Sequence, residues 1–200
     1  MTMKGLILDT TLKRSYVAAF DGDRESVLYF AEGVSTQSAL IPACKEVLAS
    51  LSITPADLDG VAAVVGPGSF TGIRIGVTFA NALAFALSLP RFALTSFDVM
   101  RAVCPQASCF AVDAGHDSTY AAKVVNGFLE QENIDKKDLP QGTVFQEDVL
   151  DRLPAGALLA ARKAFEEREL SPCAPTAETS YLKPNYMRRS QAERMKDLKA

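Results

Sequence analysis

The sequence predicts an α/β fold of two related lobes, the second abridged, on three observations. Short apolar, strand-like runs alternate with helically spaced segments, and the opening pattern recurs near residue 108. About 90 residues follow that recurrence, against 105 before it, and 48% of the 200 residues are hydrophobic, enough to give both lobes a core. The expected lobes are residues 1–105 and residues 106–200, the latter ending in a basic tail.

The elements follow in order. "GLILDTT" (5–11) reads as a buried strand, and "SYVAAFDGDRESVLYFAEG" (15–33) as two strands joined at Asp21-Gly22, a hairpin signal. "TQSALIPACKEVLASL" (36–51) has apolar residues at 40, 41, 44, 47, 48 and 51, which is helical spacing; Pro42 fits if it lies in the first turn. The apolar run 61–65 is a further strand. It leads into "GPGSFTGIRIG" (66–76) and a long helix from about Gly72 to Ser88.

The second unit starts at "SCFAVDAGHDSTYAAKVVNGFLEQ" (108–131). At an offset of 104, Asp9 falls on Asp113, Ser15 on Thr119, Tyr16 on Tyr120 and Ala18 on Ala122; Asn126-Gly127 answers Asp21-Gly22 after one inserted residue. Such a match points to duplication. Beyond it, "QEDVLDRLPAGALLAARKAFEEREL" (146–170) predicts two helices.

Charge and cysteine usage narrow the function classes. From Lys183 onward six Lys or Arg stand against Glu193 and Asp197, a local +4, so a formal net charge of −3 leaves −7 on the 182 residues before it. Such a body is not a nucleic-acid surface, which needs clustered cations. A solvated terminus is the commoner reading of the tail, with RNA contact as the alternative. Cysteines 44, 104, 109 and 173 have no CxxC spacing, and "MTMKGLILDTT" has no long apolar leader, as expected of a reduced cytoplasmic protein. The apolar run 75–89 is short of the ~20 residues that span a bilayer, so no membrane association is expected.

The glycine stretch fails two phosphate-binding patterns. A Walker loop needs a lysine after its last glycine, and none occurs between Lys45 and Lys123; a dinucleotide fingerprint needs a third glycine where Thr71 stands. What remains is a strand-to-helix turn whose amides could hold an anion, or whose Ser69 or Thr71 caps the helix; capping is favoured. With His116 as the single histidine, a two-histidine metal site is excluded and no metal ligands are assigned. His116 reads as a turn residue.

Along the helix that follows, Gly72, Gly76, Ala80, Ala84 and Ser88 recur every four residues, and no charge lies between Arg74 and Arg91. A helix apolar all round is buried all round. Its small-residue stripe could meet the 36–51 helix of the same chain; the thin charged face favours contact with a second protein.

Two strand-end aspartates, each followed by a hairpin, resemble the duplicated ribonuclease H-like lobes of the actin-like ATPase superfamily. That architecture holds nucleotide and metal in the cleft faced by those aspartates. The resemblance makes Asp9, Thr10, Gly68, Ser69, Thr71 and Asp113 candidate nucleotide or anion contacts. No cofactor is required by the residues; ATP or ADP, at low affinity or at a partner interface, stays open.

The motifs "ILDTT" (7–11), "SALIP" (38–42), "GPGSFTGIRIG" (66–76), "VDAGHDSTYAA" (112–122) and "KPNYMRR" (183–189) together resemble the TsaB family, the small partner in bacterial threonylcarbamoyladenosine modification of tRNA. That family is related to the catalytic transferase TsaD, which holds a metal by a His-x3-His pair after the glycine helix. Here the aligned positions are Ser96 and Met100, and Gln37 stands where relatives often carry His. The resemblance implies a non-catalytic subunit that binds TsaD, in company with the ATPase TsaE, and forms a homodimer when alone; tRNA is reached through the complex. It implies pairing by the 36–51 and 72–88 helices, with Leu40, Ile41, Cys44, Leu48, Gly72, Gly76, Ala80 and Ala84 at the interface. Two rivals remain: an autonomous actin-like ATPase or kinase and, further off, a metal-dependent glycoprotease.

Overall fold

The computed structural model describes residues 2–115, 117–170 and 181–187, with side chains of the last helix described as far as Glu167. His116, Cys173 and the basic tail from Arg188 onward lie outside the described residues.

Strands β1 (Lys4–Asp9), β2 (Tyr16–Asp21) and β3 (Arg24–Tyr29) form the meander expected from the hairpin signal. Helix α1 (Thr36–Ser50) leads to β4 (Gly60–Val64), α2 (Phe70–Ala86), β5 (Arg91–Leu94) and α3 (Ser96–Val103). The first sheet has the order β3-β2-β1-β4-β5, with β1, β4 and β5 parallel and the β1–β2 and β2–β3 pairs antiparallel.

Strands β6 (Cys109–Gly115), β7 (Ser118–Val125), β8 (Phe128–Asp135) and β9 (Val144–Phe145) form a second sheet in the order β8-β7-β6-β9. This is the first order one strand short, and β9 has two residues, which gives the abridged lobe its structural meaning. The duplicated aspartates differ locally. Asp9 pairs with Tyr16, whereas Asp113 pairs with Thr119 and Val112 takes Tyr120, a one-residue displacement beside a bulge at Asp113–Gly115. The offset of 104 therefore finds the strands and misses their register.

Alternation along the first sheet builds two cores. Leu6, Leu8, Val17, Ala19, Val61 and Ala63 face α1 and α2, while Ile7, Tyr16, Ala18, Phe20, Ala62 and Val64 face α3, the second sheet and α4 (Leu153–Leu170). Helix α4 returns from the second sheet to the first: Phe165 lies against Gly5 and Gly60, stacks on Phe92 at 4.1 Å and meets Phe20 edge-on at 5.5 Å.

Three local expectations change. Pro42 is the seventh residue of the 15-residue α1, not a first-turn residue. It lies on the helix's exposed side with Ser38, whose carbonyl the proline leaves without its helical donor, so water can serve it. Residues 146–170 form one α-helix, not two: 146–152 is a 3-10 segment, and Pro154 sits in the first turn of α4, where its missing N–H costs nothing. Helix α2 begins two residues early, at Phe70.

Candidate functional site

The end of β1 and the glycine turn are tied into one corner. Asp9, 1% exposed, accepts from the Thr11 hydroxyl at 2.7 Å and the Thr11 amide at 3.0 Å. Burial raises its carboxyl above the ordinary value, and the bonds from Thr11 offset this in part. The Thr10 hydroxyl donates to the Gly72 carbonyl at 2.7 Å, and the Ser69 amide donates to the Thr11 carbonyl at 2.8 Å. Ser69 also caps α2, its hydroxyl accepting from the Gly72 amide at 3.2 Å; this is the favoured reading of the stretch.

Glycine is required here for space. A Cβ on Gly72 would lie 1.8 Å from the Thr10 carbonyl oxygen, and one on Gly76 would lie 2.2 Å from the Thr10 hydroxyl. The small-residue stripe therefore meets the strand-end turn of its own chain.

A cleft of about 560 Å³ opens between the lobes. Thr11, Gly68 and Ser69 line it from the first lobe and Val112, Asp113, Glu147 and Asp151 from the second, with Lys13 and Arg14 also at its wall. Of the six nucleotide or anion candidates, the structure brings Gly68, Ser69 and Asp113 together. Asp9 and Thr10 are sealed beneath the corner, and exposed Thr71 is not part of the lining. Asp113 accepts from the Gly115 amide at 2.9 Å, and the Arg14 guanidinium stacks 4.1 Å above the Tyr29 ring. Three carboxylates beside two cations give the cleft no surplus of positive charge for a polyphosphate. Sequence reasoning passed over Lys13, Arg14, Glu147 and Asp151; the last two come from a segment read as an ordinary helix.

Ser96 and Met100 have interior tasks. The Ser96 hydroxyl donates to the Pro67 carbonyl at 2.7 Å and its amide to the Gly66 carbonyl at 2.9 Å, fastening the glycine turn; Met100 is fully buried in the core. Among the described residues no group of three or more His, Cys, Asp or Glu is gathered for a metal.

Of the eight expected interface residues, Leu40, Cys44, Leu48, Gly72, Gly76, Ala80 and Ala84 are buried within this chain, and Ile41 is 52% exposed. The seven face inward because the helix must bury its closest-packing side on its own sheet. The outward side of α2 carries Phe70, Thr71, Arg74, Thr78, Ala82, Phe85 and Ala86, with Ile75 and Phe79 half-buried against the first core. Phe85 is 70% exposed. With Ile41 it leaves one large apolar side chain exposed on each of two neighbouring helices, beside the exposed charges of Lys45, Glu46 and Arg74; exposed apolar surface of this kind is a feature of interaction sites. The helical wheel held this signal, since Ala82, Phe85 and Ala86 fall opposite the stripe.

Comparison with known proteins places this geometry. Residues 35–143 match the family described as TsaD: tRNA N6-adenosine threonylcarbamoyltransferase. The tRNA threonylcarbamoyladenosine biosynthesis protein TsaB of Bacillus subtilis is 36% identical over 115 residues, 54% of this chain and 48% of that protein. TsaB of Haemophilus influenzae is 29% identical over 126 residues, 60% of this chain and 53% of that protein. The chain spans about half the length of the curated relatives it matches. YeaZ from Pseudomonas aeruginosa has the same fold, with a TM-score of 0.69 at 22% identity over 92% of this chain and 99% of that one.

Proposed function

Because the chain belongs to the TsaD family and stands with its TsaB members, we propose that it serves threonylcarbamoyladenosine formation on tRNA as a non-catalytic subunit. In this reading it docks a TsaD-type transferase through the outer face of α1 and α2, and the ATPase TsaE joins that pair. The observation that carries the reading is the exposure of Ile41 and Phe85, large apolar side chains on two helices whose inner sides are already committed to the chain's own core. A partner of related fold could meet it in a near-symmetric four-helix contact, and a second copy could occupy it when the partner is missing. Transfer chemistry belongs to the partner, since Ser96 and Met100 are spent on the glycine turn and the core. Contact with tRNA is made through the assembled complex.

Titration calorimetry with the TsaD-type protein of the same organism tests this. Phe85→Asp and Ile41→Asp should each weaken binding at least about a hundredfold, the loss expected of a central interface anchor. Both variants should melt with the parent chain, since neither side chain is in the core. Unchanged affinity in the two variants would refute the docking face. The rival ATPase reading uses the cleft and predicts nucleotide hydrolysis by the purified chain, lost in Asp113→Asn.

A further inference from the structure

Residues 181–187 are separated in sequence from every element they touch. The Asn81 carboxamide, near the middle of α2, holds the Leu182 backbone at both ends: its nitrogen donates to the Leu182 carbonyl at 3.0 Å and its oxygen accepts from the Leu182 amide at 2.9 Å. The Leu182 side chain, 8% exposed, enters the core between the first sheet and α1–α2. The Asn185 amide then donates to the Val65 carbonyl at 2.8 Å, beside the glycine turn, and its side chain donates to the Gln131 oxygen of β8 at 2.8 Å. Tyr186 packs on Phe70 with ring centroids 4.8 Å apart, its hydroxyl accepting from Arg74 at 3.0 Å, and Met187 packs against the other core.

Seven residues thus fasten α2 at its start and its middle, the end of β4 and the second sheet. We propose that this segment is a brace that fixes α2 against the second lobe and thereby presets the docking face for its partner. The proposal rests on the docking reading for its consequence, though the brace has its own readout in the isolated chain. A preset helix binds more tightly because less ordering remains to be done on association.

Deleting residues 181–200 should raise amide exchange in α2 and in the β7–β8 hairpin at least about tenfold. The same deletion should weaken binding of the TsaD-type protein by about tenfold or more, with circular dichroism showing the fold retained. Deleting residues 188–200 alone should change neither quantity. Asn81→Ala should reproduce part of the effect if the larger deletion does not fold. A synthetic peptide of residues 179–189 should restore both exchange protection and affinity to the shortened chain, which a generally weakened fold would not allow. Unaltered exchange in the folded deletion chain and in Asn81→Ala overturns the brace. So does an equal loss of affinity on removing residues 188–200 only. If exchange rises while no variant of either kind affects partner binding, the docking reading fails, and with it the brace's effect on docking.

Discussion

Gly72→Ala is the most exacting test of the corner. In an open helical position this change stabilises by about 1 kcal/mol, because alanine loses less backbone entropy than glycine. Here the added methyl would sit 1.8 Å from the Thr10 carbonyl oxygen, a backbone atom held by β1. Ordinary contact begins near 3.4 Å, so the first turn of α2 must retreat by more than an ångström. Overpacking of this kind costs about 1–3 kcal/mol. The retreat also strains the Thr10 hydroxyl bond to the Gly72 carbonyl and the Ser69 amide bond to the Thr11 carbonyl, at about 0.5–1.5 kcal/mol for a lost hydrogen bond. After the helix-propensity gain, a net loss of roughly 1–3 kcal/mol is expected. Urea unfolding followed by far-UV circular dichroism reads it directly as a lower midpoint at unchanged slope. A midpoint equal to or above the parent's would refute the reasoning, since it would place the stripe against open space.

Two further outcomes follow from the buried groups. Asp9 has a folded pKa above its ordinary 3.8, so the folded state binds this proton more tightly than the unfolded chain does; its contribution is full below that value and falls as pH rises through the raised one. Asp9→Asn keeps an oxygen for the Thr11 amide and hydroxyl but does not titrate, so its stability relative to the parent should climb across that window and then level; a relative decline would refute the assignment. Burial pushes the Cys44 thiol up to about 12, whereas Cys104 is half-exposed. Iodoacetamide at pH 8 should therefore alkylate Cys104 at least about tenfold faster than Cys44 in the folded chain, as peptide mass spectrometry would show.

The strand, hairpin and helix order was legible because each rests on local rules: alternation, turn residues and helical spacing. Helix α2 was legible as an apolar helix, yet the direction of its stripe was not. A four-residue repeat of small side chains says that something approaches closely, and backbone at Thr10, 62 residues earlier than Gly72, can do so as well as a partner helix. The two-helix expectation for 146–170 also lacked the helix start: Pro154 stands in the first turn of α4, where a proline is favourable. The sequence marked residues 183–189 as a motif but not what they touch, because Asn81 and Leu182 are 101 residues apart and neither belongs to a pattern. Asn81 stands in an apolar run, and both of its polar atoms are engaged by the Leu182 backbone.

The glycine stretch shows how a shape suited to phosphate can be used for something else. An anion at a helix N-terminus needs amides that are not already bonded. Here the Ser69 amide is taken by the Thr11 carbonyl and the Gly72 amide by the Ser69 hydroxyl, while Asp9 turns its carboxylate onto Thr11 and away from the cleft. The Thr10 hydroxyl and the Ser69 amide, which the superfamily resemblance would offer to a ligand at this corner, instead hold the start of α2 to the end of β1. A helix held so firmly on its inner side can leave an apolar outer side exposed without rearranging to bury it. On the docking reading proposed above, weakening the corner should therefore cost partner binding, because it loosens the helix that presents Phe85, although no corner residue lies on the proposed face.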